Sequence, residues 1–178
     1  MTRCADLRIR RRALLGLVVF AAGHAALACD TDATAVFACE TAQGRKFIEL
    51  CAAADLQGPE AYLQYRFGAL NAEGREAKAE LEFPAQRQGS LKRFVGATYT
   101  RAGVYTQSVR FVQGDFSYTV FTEARGHREL GAGVQVRHLA SGKTSTVSCS
   151  ERPRFYIFEL KGLLACDEQA PGGRACIQ

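Results

Sequence analysis

Apolar and polar side chains alternate with a period of two along most of the chain, which is the pattern of strands that bury one face. It is clearest in residues 104–121, VYTQSVRFVQGDFSYTVF, where Gly114 and Asp115 form a predicted two-residue turn. That turn sets apolar residues of the two strands opposite each other, Val109 with Val120 and Phe111 with Tyr118. A central β-hairpin is therefore predicted here.

Seven further segments have strand composition. They are residues 33–40, 46–52, 61–67, 77–83, 94–101, 134–139 and 144–149. Nine short strands predict an all-β fold, either an antiparallel β-sandwich or a small β-barrel of about eight or nine strands. Only residues 155–166 could form a turn or two of helix, so a short helical or irregular C-terminal segment is expected.

Two connections follow from the same pattern. Residues 123–133, EARGHRELGAG, contain three glycines and alternating charges, and are predicted to form an exposed loop. Residues 134–139 and 144–149 are predicted to form a second hairpin, whose two-residue turn is Ser141-Gly142. Its register pairs Val136 with Val147 and Val134 with Cys149.

The N-terminus has the three parts of a secretory signal peptide. An arginine-rich start precedes an apolar run at residues 13–26, and Ala26-Leu27-Ala28 is a small-x-small cleavage site. The run is shorter than the roughly 20 residues needed to span a membrane. Residues 1–28 are thus predicted to be removed, leaving residues 29–178 as a single β domain without a transmembrane segment. Arg11-Arg12 leaves twin-arginine export open beside the Sec route.

The position of Cys29 directly after this cleavage site raises a lipid anchor as an alternative. The bacterial lipoprotein motif has leucine three residues before the cysteine, where this chain has Ala26. A soluble product of ordinary signal cleavage is therefore favoured over a lipid anchor at Cys29.

The basic character of the chain lies in the leader. The 178-residue chain has 23 Lys and Arg against 18 Asp and Glu, and five of the arginines and one aspartate precede residue 29. The remaining chain has a net charge of about +1. We expect no binding to nucleic acid, because such binding depends on clustered positive charge.

Six cysteines follow the leader, an even number that predicts disulfides and an oxidising compartment, periplasmic or secreted. They are Cys29, Cys39, Cys51, Cys149, Cys166 and Cys176. A three-residue turn centred on Arg45 would set Cys39 opposite Cys51, so this pair is predicted to bond. Cys149 with Cys166, and Cys29 with Cys176, are the simplest pairings of the remainder.

Residues that could carry catalysis are few and scattered. His127 lies in a charged segment and His138 follows the apolar positions of a strand, so neither suggests a base beside a nucleophile. Glu80 and Glu82 share a strand face with Lys78, as solvated surface residues do. The sequence predicts no catalytic residue, no cofactor and no metal site, and hence no enzyme.

One motif imitates a nucleotide-binding loop. Residues 141–144, Ser-Gly-Lys-Thr, match the end of a phosphate-binding loop, but the full motif needs glycine where Arg137 stands. The segment also joins two strands instead of opening a helix. It is interpreted as a hairpin turn.

Tyrosine and arginine side chains at outward strand positions are the better functional clue. Both types are enriched in protein-binding hot spots, although ordinary strand faces carry them too. The candidate binding surface consists of Tyr62, Arg66, Tyr99, Arg101, Tyr105 and Arg110.

Three segments carry a family resemblance: residues 39–51 (CETAQGRKFIELC), 62–68 (YLQYRFG) and 114–121 (GDFSYTVF). The chain resembles small exported proteobacterial β-proteins of uncharacterised function. In size, compartment and class it is also similar to periplasmic lysozyme-inhibitor proteins, which are small disulfide-bearing β-barrels. The resemblance transfers no catalytic residue to this chain.

These observations predict an exported, non-enzymatic protein that binds another protein. The expected role is that of an inhibitor or immunity-type protein acting on a cell-wall hydrolase or toxin. The alternatives are a small-ligand-binding periplasmic carrier, a structural protein of the envelope, and an enzyme with an unrecognised carboxylate or Tyr/Arg site.

Overall fold

The computed structural model of the chain describes residues 29–30, 32–41, 45–72, 76–155, 157–160 and 162–171. The predicted signal peptide and Cys176 lie outside these residues. Within them, no helix has the length and apolar character required to cross a membrane.

Eleven strands and two short 3-10 helices make up the described structure. The strands are β1 (Ala33–Glu40), β2 (Lys46–Ala53), β3 (Leu63–Leu70), β4 (Glu76–Phe83), β5 (Val95–Arg101), β6 (Val104–Gln113), β7 (Phe116–Arg125), β8 (Arg128–His138), β9 (Thr144–Ser148), β10 (Arg154–Phe155) and β11 (Ala165–Cys166). The 3-10 helices are Ser90–Arg93 and Ile157–Leu160. The second of these confirms the short helical segment predicted near the C-terminus.

Two sheets pack face to face. The first has the order β10-β1-β2-β3-β4 and the second β11-β5-β6-β7-β8-β9. All strand pairs are antiparallel except β11 with β5. The sheets do not close into a barrel, so the fold is a β-sandwich. The all-β prediction is confirmed, and of its two architectures the sandwich is the one observed.

Aromatic rings fill the space between the sheets around Phe111, which is 1% exposed. Its ring stacks on Phe83 at 4.5 Å and on Tyr118 at 4.9 Å between centroids. Tyr65 and Phe94 lie at 5.0 and 5.5 Å. Burial of five large rings in one cluster supplies much of the apolar area that stabilises the sandwich.

The central hairpin has the predicted register. Val109 pairs with Val120 and Phe111 with Tyr118 across β6 and β7. Gly114 has φ 55°, in the left-handed region that the turn requires and that glycine adopts without strain. The prediction from residues 104–121 is confirmed.

The exposed loop predicted at residues 123–133 is wrong, because β7 continues to Arg125 and β8 begins at Arg128. A two-residue turn at Gly126-His127 reverses the chain, with Gly126 at φ 59°. Gly133, whose character suggested a loop, instead lets two strands approach. A Cβ atom there would lie 2.2 Å from the carbonyl oxygen of Val147 in β9.

The hairpin of β8 and β9 exists, but its predicted register is wrong by two residues. Val134 pairs with Val147, and Val136 with Ser145. The turn is longer than two residues, since the amide of His138 donates to the carbonyl of Lys143 at 2.9 Å. A shift of two keeps each side chain on its predicted face, so Val134 and Val147 still point into the core.

The predicted bond between Cys39 and Cys51 is wrong, because the β1–β2 turn lies earlier than assumed. Cys39 pairs across the strands with Ile48, and Cys51 with Ala35. The backbone of Thr41 instead bridges to Cys149, just beyond β9. This crossing brings Cys149 beside Cys39, to which it is bonded with Cα atoms 5.7 Å apart.

The other two predicted pairings are also wrong, since Cys149 bonds to Cys39 and Cys29 bonds to Cys51. Cys166 is disulfide-bonded as well. A sulfur in a disulfide cannot also carry a thioether-linked lipid, so the Cys29–Cys51 bond argues against the alternative of a lipid anchor. Disulfides of this kind are typical of proteins in oxidising, non-cytoplasmic compartments.

Candidate functional site

The second sheet is longer than the first, and its inner face continues past the core. β6, β7 and β8 have 10, 10 and 11 residues, whereas β1 to β4 have eight each. On β6, the buried Phe111 and Val109 are followed on the same face by Gln107 and then Tyr105. Tyr105 is exposed, so the sandwich is open at this end.

The opening is a cleft of about 610 Å³, which we call the end cleft. Its floor includes Tyr105, Gln107 and Thr122, while the β7–β8 turn adds His127 and the start of β8 adds Glu129. This volume lies within the usual range of ligand sites, about 300–1,000 Å³. The floor is formed by paired strands, which hold its side chains more firmly than loops would.

One wall of the end cleft comes from the first sheet. Arg152, Pro153 and Arg154 lead into β10, which pairs with β1. Pro153 is buried, whereas Arg152 has 87% of its side chain exposed. The Nε atom of Arg152 lies 3.2 Å from a carboxylate oxygen of Glu129. An ion pair this exposed contributes little to stability, so both groups stay available to a ligand.

Only one residue of the predicted Tyr/Arg surface lies in the end cleft. That residue is Tyr105, which is 43% exposed. Tyr99, Arg101 and Arg110 lie on the opposite, outer face of the second sheet, as the β5–β6 register shows. Tyr62 and Arg66 lie with the first sheet. The structure therefore divides the predicted surface among three places.

Part of the outer face of the first sheet is covered, so Tyr62 and Arg66 are buried instead of exposed as predicted. Arg66 lies 3.2 Å from the fully buried carboxylate of Glu49 and 3.3 Å from that of Glu82. The Arg87 guanidinium lies over the Tyr62 ring, 4.9 Å from its centroid. Burial raises the pKa of the Tyr62 hydroxyl, against the opposing effect of the Arg87 charge.

Arg110 also has a structural role. Its Nε and a terminal nitrogen donate to the two carboxylate oxygens of Asp167 at 2.7 and 2.8 Å. Asp167 is 3% exposed, and its backbone amide donates to the carbonyl of Gly96 in β5. This bidentate pair fastens the segment after β11 to the second sheet, so Arg110 is not available to a partner protein.

Sequence reasoning missed Glu129, Arg152 and Arg154, together with the cleft that they border. The sequence pattern places Glu129 in an exposed loop, and so it does not predict that β7 and β8 extend beyond the core. The sequence Arg-Pro-Arg at residues 152–154 could have indicated this part of the site. Proline restricts the backbone there, and it stands between two exposed arginines at the start of a strand.

Two other groupings have the composition of reactive sites. Cys29, Glu49 and Cys51 lie within ligand distance of one another, but both sulfurs belong to a disulfide and cannot serve as thiolate ligands. His138 Nδ1 lies 2.9 Å from the Ser141 hydroxyl and accepts from the Ser141 amide at 3.2 Å. Within the described structure no group orients the other ring nitrogen, so this contact stabilises the hairpin turn.

Comparison of the chain with protein-family models, with curated proteins and with solved structures gave no match. The geometry of the end cleft is therefore the basis for assigning a function.

Proposed function

We propose that the protein is an exported, non-enzymatic binding protein whose end cleft receives a segment of another protein. The observation that carries this proposal is the open inner face of the second sheet, with Tyr105 in its floor and Arg152 at its rim. Tyrosine and arginine supply a large share of binding energy at protein interfaces. A concave floor on paired strands is also pre-organised, which lowers the entropy cost of association.

A protein segment fits the end cleft better than a small ligand does. Small-molecule sites usually enclose most of the ligand within apolar walls. Here the wall residue Arg152 is 87% exposed, and both signs of charge border the opening. Between the sheets, rings around Phe111 occupy the space that a carrier of the barrel type would need. These features support the protein-binding alternative over the carrier.

We further propose that the partner is a cell-wall hydrolase or toxin met in the periplasm or outside the cell. The disulfides and the predicted leader support the compartment, and the resemblance in class to lysozyme-inhibitor proteins supports the partner. Glycoside hydrolases carry paired catalytic carboxylates. Arg152 and Arg154 present the complementary charge at the rim of the end cleft.

The test is a pull-down with the disulfide-intact protein, residues 29–178, against periplasmic and culture-supernatant extracts. Any protein that is captured is then assayed for hydrolase inhibition with Tyr105→Ala and Arg152→Ala variants. We expect a stoichiometric partner whose affinity falls at least about tenfold in each variant. Arg101→Ala, an exposed arginine on the other face, is the matched control and should bind normally.

Two results would reject the proposal. One is the absence of a specific partner, combined with a co-purifying small molecule in native mass spectrometry, which would favour the carrier. The other is a partner that binds both cleft variants as tightly as the unaltered protein, because its interface would then lie elsewhere.

A further inference from the structure

The outer face of the second sheet has a groove that runs across the strands from β5 to β9. The register places Ala97, Ser108, Phe121 and Gly133 side by side on β5, β6, β7 and β8. Three of these four residues have small side chains, and Ser108 and Phe121 of this row line the groove. The groove has a volume of about 280 Å³ and extends to Thr146 on β9. Four strand spacings make it roughly 19 Å long.

The polar groups along this outer groove have no partner within the described structure. Thr106 and Ser108 are each only 4% exposed, yet neither hydroxyl makes a hydrogen bond to a described residue. Thr119, which is half-buried, and Gln135 and Thr146, which are exposed, also make no side-chain hydrogen bond to a described residue. Polar groups buried this deeply are normally hydrogen-bonded. Thr106 and Ser108 are the two groove residues buried to this degree, so theirs are the hydroxyls whose partners a ligand in the groove would supply.

The chemistry of the lining favours an uncharged ligand rich in hydroxyl groups. Among the described residues that line the outer groove there is no lysine or arginine, and Glu123 is the one charged residue. Polyanions such as nucleic acids require cationic contacts, so they do not fit. Tyr99 and Phe121 provide ring faces with negative partial charge, against which the C–H groups of a sugar ring pack favourably.

An extended peptide is a poorer match for this geometry. Peptides that join a sheet pair their main chain with a free strand edge. The outer groove instead crosses strands β6, β7 and β8, whose backbones are paired on both sides. Contacts there must come from side chains, and these are hydroxyl and amide groups at separate points along the groove.

We propose that this outer groove binds a neutral carbohydrate chain. The site is separate from the end cleft, because the two lie on opposite faces of the second sheet, although Glu123 borders both. Thr106, Ser108 and Gln135 hydrogen-bond the sugar hydroxyls, while Tyr99 and Phe121 contact the ring faces.

The test is titration of the protein with two neutral probes, the β-1,4-linked tetrasaccharides of glucose and of N-acetylglucosamine, followed by amide NMR shifts. At least one probe should bind with shifts confined to β5–β9. Tyr99→Ala and Thr106→Val should each weaken binding about tenfold. Thr98→Val, an isosteric change on the inner face of β5 and outside both proposed sites, should leave binding unchanged. Thr146→Val, on the exposed edge strand, is a second groove variant that does not disturb the core.

Three outcomes would overturn this proposal. The first is that neither tetrasaccharide binds at millimolar concentration, and the second is that binding produces shifts outside β5–β9. The third is that a peptide library or heparin binds in the outer groove with the same sensitivity to Thr146→Val, which would assign the groove to another class of ligand. The circular dichroism spectrum of each variant confirms that it has folded.

Discussion

The two fully described disulfides close chain segments of very different length, which predicts unequal contributions to stability. Cys39–Cys149 joins residues 110 positions apart, and Cys29–Cys51 joins residues 22 apart. A disulfide stabilises a protein mainly by reducing the conformational entropy of the unfolded chain, and this effect grows with the length of the closed loop. Loss of the longer link should therefore be the more destabilising.

The loop-entropy relation gives about 4.8 kcal/mol for the longer loop and about 3.4 kcal/mol for the shorter one at 25 °C. The expected difference in unfolding free energy is thus about 1.4 kcal/mol. The two loops share residues 39–51 of the chain. Even so, removing one disulfide leaves the length of the loop that the other disulfide closes almost unchanged. Their effects should therefore be nearly independent.

The measurement is urea denaturation of two double variants, Cys39→Ala with Cys149→Ala and Cys29→Ala with Cys51→Ala. Cys39 and Cys51 are 5% and 1% exposed, so each double variant loses one well-buried sulfur atom. The loss of packing is therefore similar in the two variants, and the difference between them reports on the disulfides. Peptide mapping under non-reducing conditions should first confirm both bonds in the unaltered protein. The linear extrapolation of each unfolding curve then gives the two free energies.

The reasoning fails if the Cys29–Cys51 variant is the less stable of the two. That result would mean that the short link holds native structure directly, by tying the N-terminal segment over the first sheet, and that chain entropy is secondary. Detection of a Cys39–Cys51 peptide would instead contradict the β1–β2 register itself.

Two further predictions concern single residues. Arg110→Met should lower the unfolding free energy by about 3 kcal/mol, because it leaves the Asp167 carboxylate buried without its cation. Arg101→Met on the same face should change it by less than about 0.5 kcal/mol in the same denaturation assay, and equal effects would refute the structural role of Arg110. Gly114→Val should cost at least about 1 kcal/mol from backbone strain alone, since no atom lies within 4 Å of the added Cβ. An unchanged melting curve would mean that φ is not positive there.

Local pattern predicted the strands well, because alternation is a property of each strand by itself. The limits of β1 at residues 33–40 agree with the structure, and so does the β6–β7 register, where a glycine in the left-handed region defines a two-residue turn. The sandwich was one of two predicted architectures. Alternation cannot decide between them, since both bury one face of every strand.

The two register errors share one physical cause, which is uncertainty in the length and position of the turn. Pairing register depends on the turn, and an error of one or two residues there moves every pair along the hairpin. The sequence pattern predicts a β8–β9 turn that is too short and a β1–β2 turn that lies too late in the chain. The second error set Cys39 opposite Cys51, whereas Ile48 occupies that position. No spacing of cysteines in the sequence could have shown that Cys149 crosses to β1.

The residues of the predicted binding surface lie in separate parts of the structure for a different reason. Alternation shows that Arg66 points away from the core, but it does not show whether another segment covers that face. The Cys29–Cys51 bond and the Arg87–Tyr62 contact place other parts of the chain over the first sheet. A side chain on the outward face of a strand is therefore not always exposed.

This covering explains why both proposed sites lie on the second sheet. The first sheet uses its outer face to hold the N-terminal segment and the residues after β4, through Arg87 with Asp30 and with Gln64. The second sheet is fastened on its outer face by Arg110 and Asp167, at the β5 side of the groove. Its remaining outer surface and its overhanging inner face are left for ligands. The longer strands β6, β7 and β8 thus provide two surfaces of different chemistry, and the first sheet and the disulfides provide the rigid support on which both depend.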